Sequence, residues 1–248
     1  MRKLLVFQHV PFEPLGVLDA MFKHAGFRIR YVNFHRSDDA DVAVGRYNGL
    51  VVLGGPMSAD ETDRYPHLQL EQDAIREAVE CGMPVLGICL GAQLMAASFG
   101  GRILRRGAVE FGWRRVTPTQ AGGDDPLIAH LEGGAEIFQW HSDTITLPRG
   151  AEHLAASDDC LHQAFRIGEC AYGFQFHLEA DRALIRRWVD AKRHVEELER
   201  RGVAIERERI DRETSANLPR QSRLARLVFG EFIERFYRWR RKRVLPSR

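Results

Sequence analysis

The stretch Pro84-Val85-Leu86-Gly87-Ile88-Cys89-Leu90-Gly91-Ala92-Gln93-Leu94-Met95-Ala96-Ala97 decides how this chain reads. An apolar run of strand type, Pro84 to Ile88, leads into helix-like residues from Ala92 to Ala97, and a cysteine stands between two glycines at the junction. A strand-to-helix turn of this kind is sharp and strained, and glycines at 87 and 91 leave room where the chain reverses. Cys89 then lies at a helix N-terminus, where the macrodipole and free N–H groups favour a thiolate. The same pattern also fits a buried cysteine in a packed βα unit. Residues elsewhere must decide between packing and nucleophilic chemistry.

Working outward toward the N-terminus, strand and helix signals alternate. Leu4 to Gln8 reads as a buried strand, Pro14 to His24 as a helix, and Phe27 to Phe34 alternates with period two. Leu50 to Leu53 is a short apolar run stopped by Gly54-Gly55-Pro56, and His67 to Glu80 carries Leu70, Ala74, Ile75, Ala78 and Val79 at helical spacing. Strands alternating with helices predict an α/β fold with a central, mostly parallel sheet covered by helices on both faces. In such sheets ligands sit beyond the carboxyl ends of the strands, where Gly54-Gly55-Pro56 and Cys89 both fall.

Toward the C-terminus the pattern becomes β-rich. Strand-like runs appear at Gly101–Leu104, Gly112–Thr117, Glu136–Trp140, His153–Ser157, Ala164–Ile167 and Tyr172–Phe176, with one helical stretch at Asp125–Leu131. A partly antiparallel extension of the sheet is expected there. From Glu179 onward the chain is helical and highly charged. One helix is expected over Asp181–Arg201, then a polar break at Asn217-Leu218-Pro219, then a second helix over Gln221–Arg243 with Leu224, Leu227, Val228, Phe232 and Phe236 along one face. This divides the chain into a domain at 1–185 and a C-terminal helical extension at 186–248 packed on it. Arg238, Arg240, Arg241 and Arg243 make the last helix basic. Its apolar spacing predicts that these residues occupy the solvent face rather than a nucleic-acid or membrane surface.

Composition sets the outer limits. The 248 residues, 44% hydrophobic and 28% charged, suit a globular chain with ample core, and a formal net charge of +2 calls for no strongly charged partner. Cys81, Cys89, Cys160 and Cys170 form no C-x-x-C pair, so no metal or redox motif is expected. The short apolar run at the N-terminus reads as a first strand rather than a signal peptide, and no stretch is long enough to span a membrane. The default expectation is a cytoplasmic, reducing location with Cys89 a free thiol.

Two further motifs bear on Cys89. In Phe174-Gln175-Phe176-His177-Leu178-Glu179, strand alternation brings His177 and Glu179 out on one side, the carboxylate near the imidazole. Thiol hydrolysis needs a base within reach of the sulfur and a group to orient that base. Gly54-Gly55-Pro56-Met57-Ser58 offers a bare backbone amide for a tetrahedral oxyanion, and the amide of Leu90 offers another. His141 is a rival base, since it too follows a strand-like run, but the carboxylate placed near it in sequence is Asp143 alone. The other histidines (His9, His24, His35, His67, His130, His153, His162 and His194) are scattered and read as structural or solvated.

Together these motifs resemble the class I, triad-type glutamine amidotransferases, in particular the glutaminase domain of GMP synthetase. The elbow matches that family's G-x-C-x-G-x-Q through Gln93, residues 54–58 match its G-G-P-x-S loop, and residues 175–179 match its Q-F-H-P-E segment with Leu178 in place of proline. Trp140-His141-Ser142-Asp143 falls where members hold the α-amino and α-carboxylate groups of the substrate. The resemblance covers residues 1–185 and implies a flavodoxin-like α/β fold. It further implies Cys89, His177 and Glu179 as the triad, Gly55 and Leu90 as oxyanion donors, and Gly54, Gln93, His141, Ser142 and Asp143 as substrate-binding residues, with no cofactor. The implied reaction cleaves the γ-amide of glutamine through a thioester on Cys89.

In this family the ammonia is passed to a synthetase, yet the chain carries no P-loop and no S-G-G-x-D-S-like loop. Three readings stand open: a glutaminase subunit docking to a separate synthetase, a free-standing hydrolase of γ-glutamyl compounds, or a non-catalytic binding module. The sequence leaves the oligomeric state open.

Overall fold

The computed structural model describes residues 2–36 and 42–239. Four strands, β1 (Arg2–Gln8), β2 (Phe27–Asn33), β3 (Gly49–Val52) and β4 (Val85–Ile88), alternate with α1 (Val17–His24), α2 (His67–Glu80) and α3 (Leu90–Ser98). Then follow β5 (Ile103–Pro118), α4 (Gln120–Asp124), β6 (Ala135–Ile145), β7 (Glu152–Ala156), β8 (Ala164–Ile167) and β9 (Ala171–Phe174), and last α5 (Arg182–Asp190), α6 (Lys192–Arg200) and α7 (Arg207–Arg238). The strands form one sheet in the order β2-β1-β3-β4-β9-β8-β7-β5-β6.

The sheet is mixed, which corrects the mostly parallel expectation. Strands β2 through β4 and β9 pair in parallel, while β9, β8, β7, β5 and β6 pair antiparallel. The inner parallel strands β3, β4 and β9 are covered on both faces and buried throughout, while the edge strand β2 alternates. Leu4 and Val6 of β1 face a core shared with Leu18 and Phe22 of α1 and with Val228, Phe229 and Phe232 of α7. Leu5 and Phe7 face the opposite core, with Ile75 of α2 and Leu94 of α3. A third apolar cluster gathers Phe111, Trp113 and Phe138 from β5 and β6 against Trp188 of α5 and Leu198 of α6.

The C-terminal region departs from its sequence reading at three places. The helix expected over Asp181–Arg201 is divided at Ala191, whose ψ of 112° is extended, and the bend returns Leu198 to the cluster that holds Trp188. The break expected at Asn217–Pro219 is absent: α7 runs through Pro219. Tertiary bonds anchor the helix on both sides of the proline, Thr214 Oγ1 accepting from Trp113 Nε1 at 3.0 Å and Gln221 binding three backbone groups. They override the local cost of a missing N–H. The helix expected at 125–131 is reduced to a 3-10 turn at Ile128–Leu131. Arg240, Arg241 and Arg243, expected on the solvent face of the last helix, lie outside the described residues.

Candidate active site

Cys89 sits one residue beyond β4 and is the N-cap of α3, with φ 52° and ψ −110°. Among the described residues it is the one non-glycine with positive φ. Left-handed backbone costs an L-residue energy and persists where its surroundings over-determine it. Here Cys89 N–H donates to Phe174 O at 2.8 Å, and its carbonyl accepts from Ala92 and Gln93 N–H at 3.0 and 3.1 Å. The flanking glycines are required by close approach. A Cβ on Gly87 would lie 2.4 Å from Gly91 O, and one on Gly91 would lie 2.1 Å from Val52 O. The elbow packs that tightly against β3.

His177 and Glu179 come off the neighbouring strand. Ile88 of β4 is in register with Phe174 of β9, so both strands end at one level. Contrary to the strand-alternation reading, β9 stops at Phe174 and the pair lies in the turn beyond it. Four hydrogen bonds to its backbone hold that turn. His177 N–H donates to Phe138 O at 2.9 Å, Gln221 Nε2 of α7 donates to His177 O and Ala180 O at 3.3 and 2.9 Å, and Val17 N–H of α1 donates to Glu179 O at 3.0 Å. Leu178, the residue that departs from the family motif, is buried in the core.

Glu179 Oε1 lies 2.7 Å from His177 Nδ1, and both side chains are buried. The Cys89 thiol, which donates to Trp140 O at 3.5 Å, lines the same cavity as His177, and the two groups are coupled electrostatically. Trp188 packs edge-on against His177 at 4.9 Å between centroids and is fixed by its Nε1 donating to Phe12 O at 2.9 Å. Burial pushes the Cys89 thiol up from its ordinary range, His177 acts against that rise, and Glu13 adds to it. For His177, burial disfavours the charged form, but Glu179 and the Cys89 sulfur outweigh it and hold the imidazole well above the usual histidine range. Such a coupled pair titrates as a unit.

A cavity of about 410 Å³ opens over these groups. Of the residues expected at the site, Gly55, Cys89, Gln93, His141, Ser142, Asp143 and His177 line it. Glu179 stands behind His177, and the Leu90 amide, in the first turn of α3, acts against the rise in the Cys89 pKa. Gly54 is turned the other way, its carbonyl 2.9 Å from His9 Nδ1. Gln93 Nε2 donates to Asp143 O and Gln175 Oε1, both at 3.2 Å, and Ser58 Oγ donates to Asp143 Oδ2 at 2.6 Å. These bonds join the elbow helix, the G-G-P-x-S loop and the end of β6 around the opening.

Several site residues escaped the sequence reading. The carboxylate beside His141 is Glu110, its cross-strand partner on β5, with Nε2 3.3 Å from Glu110 Oε2. That pairing depends on strand register and leaves no mark along the chain. Glu110, His141 and Cys160 are buried with donor atoms within 4.8 Å of one another, a set of metal-ligating type. Protein hydrogen bonds already engage it: Gln163 Nε2 donates to Glu110 at 3.3 Å, Thr144 Oγ1 and Cys160 Sγ are 3.2 Å apart, and His141 Nδ1 is 3.2 Å from Asp143 O. Phe12 and Glu13 reach the cavity from the loop after β1, and Leu198 and Arg201 from the end of α6 and beyond.

Comparison with known proteins places the chain by family and fold. The family model described as glutamine amidotransferase class-I matches residues 16–185. The chain is 33% identical over 174 residues to a putative glutamine amidotransferase-like protein, YfeJ, of Salmonella typhimurium, a match covering 69% of this chain and 73% of that protein. It is 35% identical over 133 residues to the glutamine-hydrolyzing GMP synthase of Porphyromonas gingivalis, covering 53% of this chain but 24% of the synthase. The crystal structure of a glutamine amidotransferase from Thermotoga maritima superposes with a TM-score of 0.83 at 29% identity, covering 94% of this chain and 98% of the other.

Proposed function

This chain belongs to the class I glutamine amidotransferase family, and from that premise we propose that it hydrolyses the γ-amide of glutamine through a thioester on Cys89. The observation that carries the reading is that Cys89 and His177 line one cavity, with Glu179 bound to His177 Nδ1 at 2.7 Å behind it. A thiol, a base and the group orienting that base are the parts that nucleophilic acyl transfer needs. The Cys89 sulfur, as thiolate, adds to the γ-carbonyl carbon. The oxygen that gains charge is met by the N–H groups of Gly55 and Leu90. The C–N bond breaks as the His177 imidazolium gives its proton to the departing ammonia. Water, deprotonated by His177, then attacks the thioester, and glutamate leaves with the Cys89 sulfur restored. Gln93, Ser142 and Asp143 would hold the amino-acid end, with His141 beside them, and a separate acceptor enzyme would take the ammonia.

A second reading is a hydrolase of larger γ-glutamyl compounds. It is supported by the cavity's volume of about 410 Å³, within the range of sites for ligands larger than one amino acid. It is also supported by the reach of the cavity from Cys89 to Arg64, Arg105 and Arg201. The two readings share the acyl half of the substrate and differ in the leaving group.

One experiment separates them. Purified protein is offered glutamine and a panel of γ-glutamyl dipeptides, with Cys89→Ala as control. Glutamate release from glutamine, abolished in the control, is the expected result. Turnover of dipeptides without turnover of glutamine would move the assignment to the second reading. Turnover untouched by Cys89→Ala would sink both.

A further inference from the structure

His9 follows β1 and is 2% exposed. Its Nδ1 lies 2.9 Å from the Gly54 carbonyl oxygen, and its Nε2 lies 3.1 and 2.9 Å from the two oxygens of Glu71. A carbonyl oxygen only accepts, so Nδ1 carries a proton and donates it. Nε2 is thereby left to share a proton with the Glu71 carboxylate, and the two side chains form a buried hydrogen-bonded pair. Glu71 is fully buried and is held from its own helix by His67, whose Nδ1 is 2.9 Å from Glu71 Oε1. Phe34 stacks on both imidazoles, at 6.2 Å from His9 and 4.9 Å from His67. Burial opposes the charge on His9, and Glu71 outweighs it, leaving His9 above the ordinary histidine range.

A buried charged chain of this sort is a poor device for stability alone. It is aimed at the single peptide unit that joins Gly54 to Gly55. No described peptide bond is cis, so the Gly54 carbonyl and the Gly55 N–H point to opposite sides of one rigid plane. His9 holds the carbonyl on one side. Gly55 lines the cavity with Cys89 and His177. Two consecutive glycines would otherwise leave that plane free to turn.

We propose that His9, clamped by Glu71 and His67, is the positioning residue of the oxyanion site. By taking the Gly54 carbonyl it fixes the peptide plane that aims the Gly55 N–H at the oxygen of a carbonyl attacked by Cys89. A hydrogen bond from a cation also polarises the peptide and strengthens the N–H on its far side as a donor. The donor is thus set before substrate arrives, which is what makes an oxyanion site effective. The proposal rests on reading Gly55 as an oxyanion donor and adds the group that orients it.

Two similar variants test it. Asparagine at position 9 puts an amide nitrogen near the place of Nδ1, and glutamine puts one near the place of Nε2. His9→Asn therefore keeps a donor for Gly54, while His9→Gln keeps the contact to Glu71 and loses Gly54. His9→Asn is expected to hold kcat within about threefold of the parent. His9→Gln should lose roughly 10- to 100-fold in kcat with KM unchanged, less than the loss of a whole oxyanion donor. Equal kcat in the two variants, or a loss expressed in KM, would overturn the proposal. The backbone order parameter of Gly55, recorded without substrate, reads the clamp independently of turnover and should move downward in His9→Gln but not in His9→Asn. If it moves that way while no γ-glutamyl compound is turned over by the parent, the clamp stands and the substrate assignment fails. If it moves in neither variant, the clamp itself is refuted.

Discussion

At the scale of residues, the site depends on one carboxylate with one task. Glu179 meets His177 through Oε1, and its Oε2 is buried without a hydrogen-bond partner, so its charge is directed at the imidazole. That arrangement fixes the sign of the pH dependence. The active form of the Cys89–His177 pair has lost one proton of two, so activity rises with pH through the first loss and falls through the second. Because the His177 pKa is raised, the falling limb lies above the ordinary imidazole range. Glu179→Gln removes the charge that raises it. The falling limb of kcat/KM should move to lower pH, and kcat should drop by roughly 100-fold or more. An unmoved limb would show that Glu179 does not govern the base. Gly91→Ala, placing a Cβ 2.1 Å from Val52 O, should cost about 1–3 kcal/mol of stability in denaturant titration and displace the nucleophile.

At the scale of elements, α7 holds the turn of His177 in place although it contributes none of Cys89, His177 and Glu179. Gln221 accepts from Phe138 N–H at 3.0 Å and donates to the carbonyls of His177 and Ala180. It thereby ties β6 to the turn that presents His177. Gln221→Leu leaves these backbone groups unpaired in a buried place and should cost about 3 kcal/mol. A lower melting temperature should accompany a kcat that falls more than KM rises. Little of this was legible in the sequence. The elbow, β1 to β4 and the helices between them were legible, because apolar runs and helical spacing are local signals. So were the motifs holding Cys89, His177 and Glu179, because they are short and contiguous, and the structure brings Cys89 and His177 to one cavity with Glu179 against His177. The pairing of Glu110 with His141, the Gln221 bridge and the His9–Glu71 chain were not, since each depends on strand register or on helices meeting across long separations. The continuity of α7 through Pro219 was misread for the same reason: the local penalty is visible, but the tertiary bonds of Thr214 and Gln221 are not.

At the scale of the whole molecule, the segment beyond residue 185 shares one core with the rest. Phe236 packs edge-on against Phe22 and Phe27 at 5.4 and 5.3 Å, and Tyr237 Oη donates to Ala25 O at 2.7 Å. Arg235 donates to Tyr172 Oη at 2.9 Å, and that hydroxyl donates to Asp125 Oδ2 at 3.0 Å. A chain cut before α7 should lose cooperative unfolding and near-ultraviolet circular dichroism, because it uncovers a face of the central sheet. If the shortened chain unfolded as cooperatively as the parent, α7 would be a dispensable cover.

The register of Ile88 with Phe174 carries one more consequence, for the order in which the protein acquires its reactivity. Cys89 is contributed by the first half of the chain, His177 by the second, and Gln221, which bonds the His177 carbonyl, by the last helix. A growing polypeptide therefore presents Cys89 to the cell long before it has anything to activate it. Under the proposed chemistry, Cys89 meets His177, in the turn tied down by Gln221, only after synthesis has passed Gln221, so the register would tie reactivity to assembly of the fold.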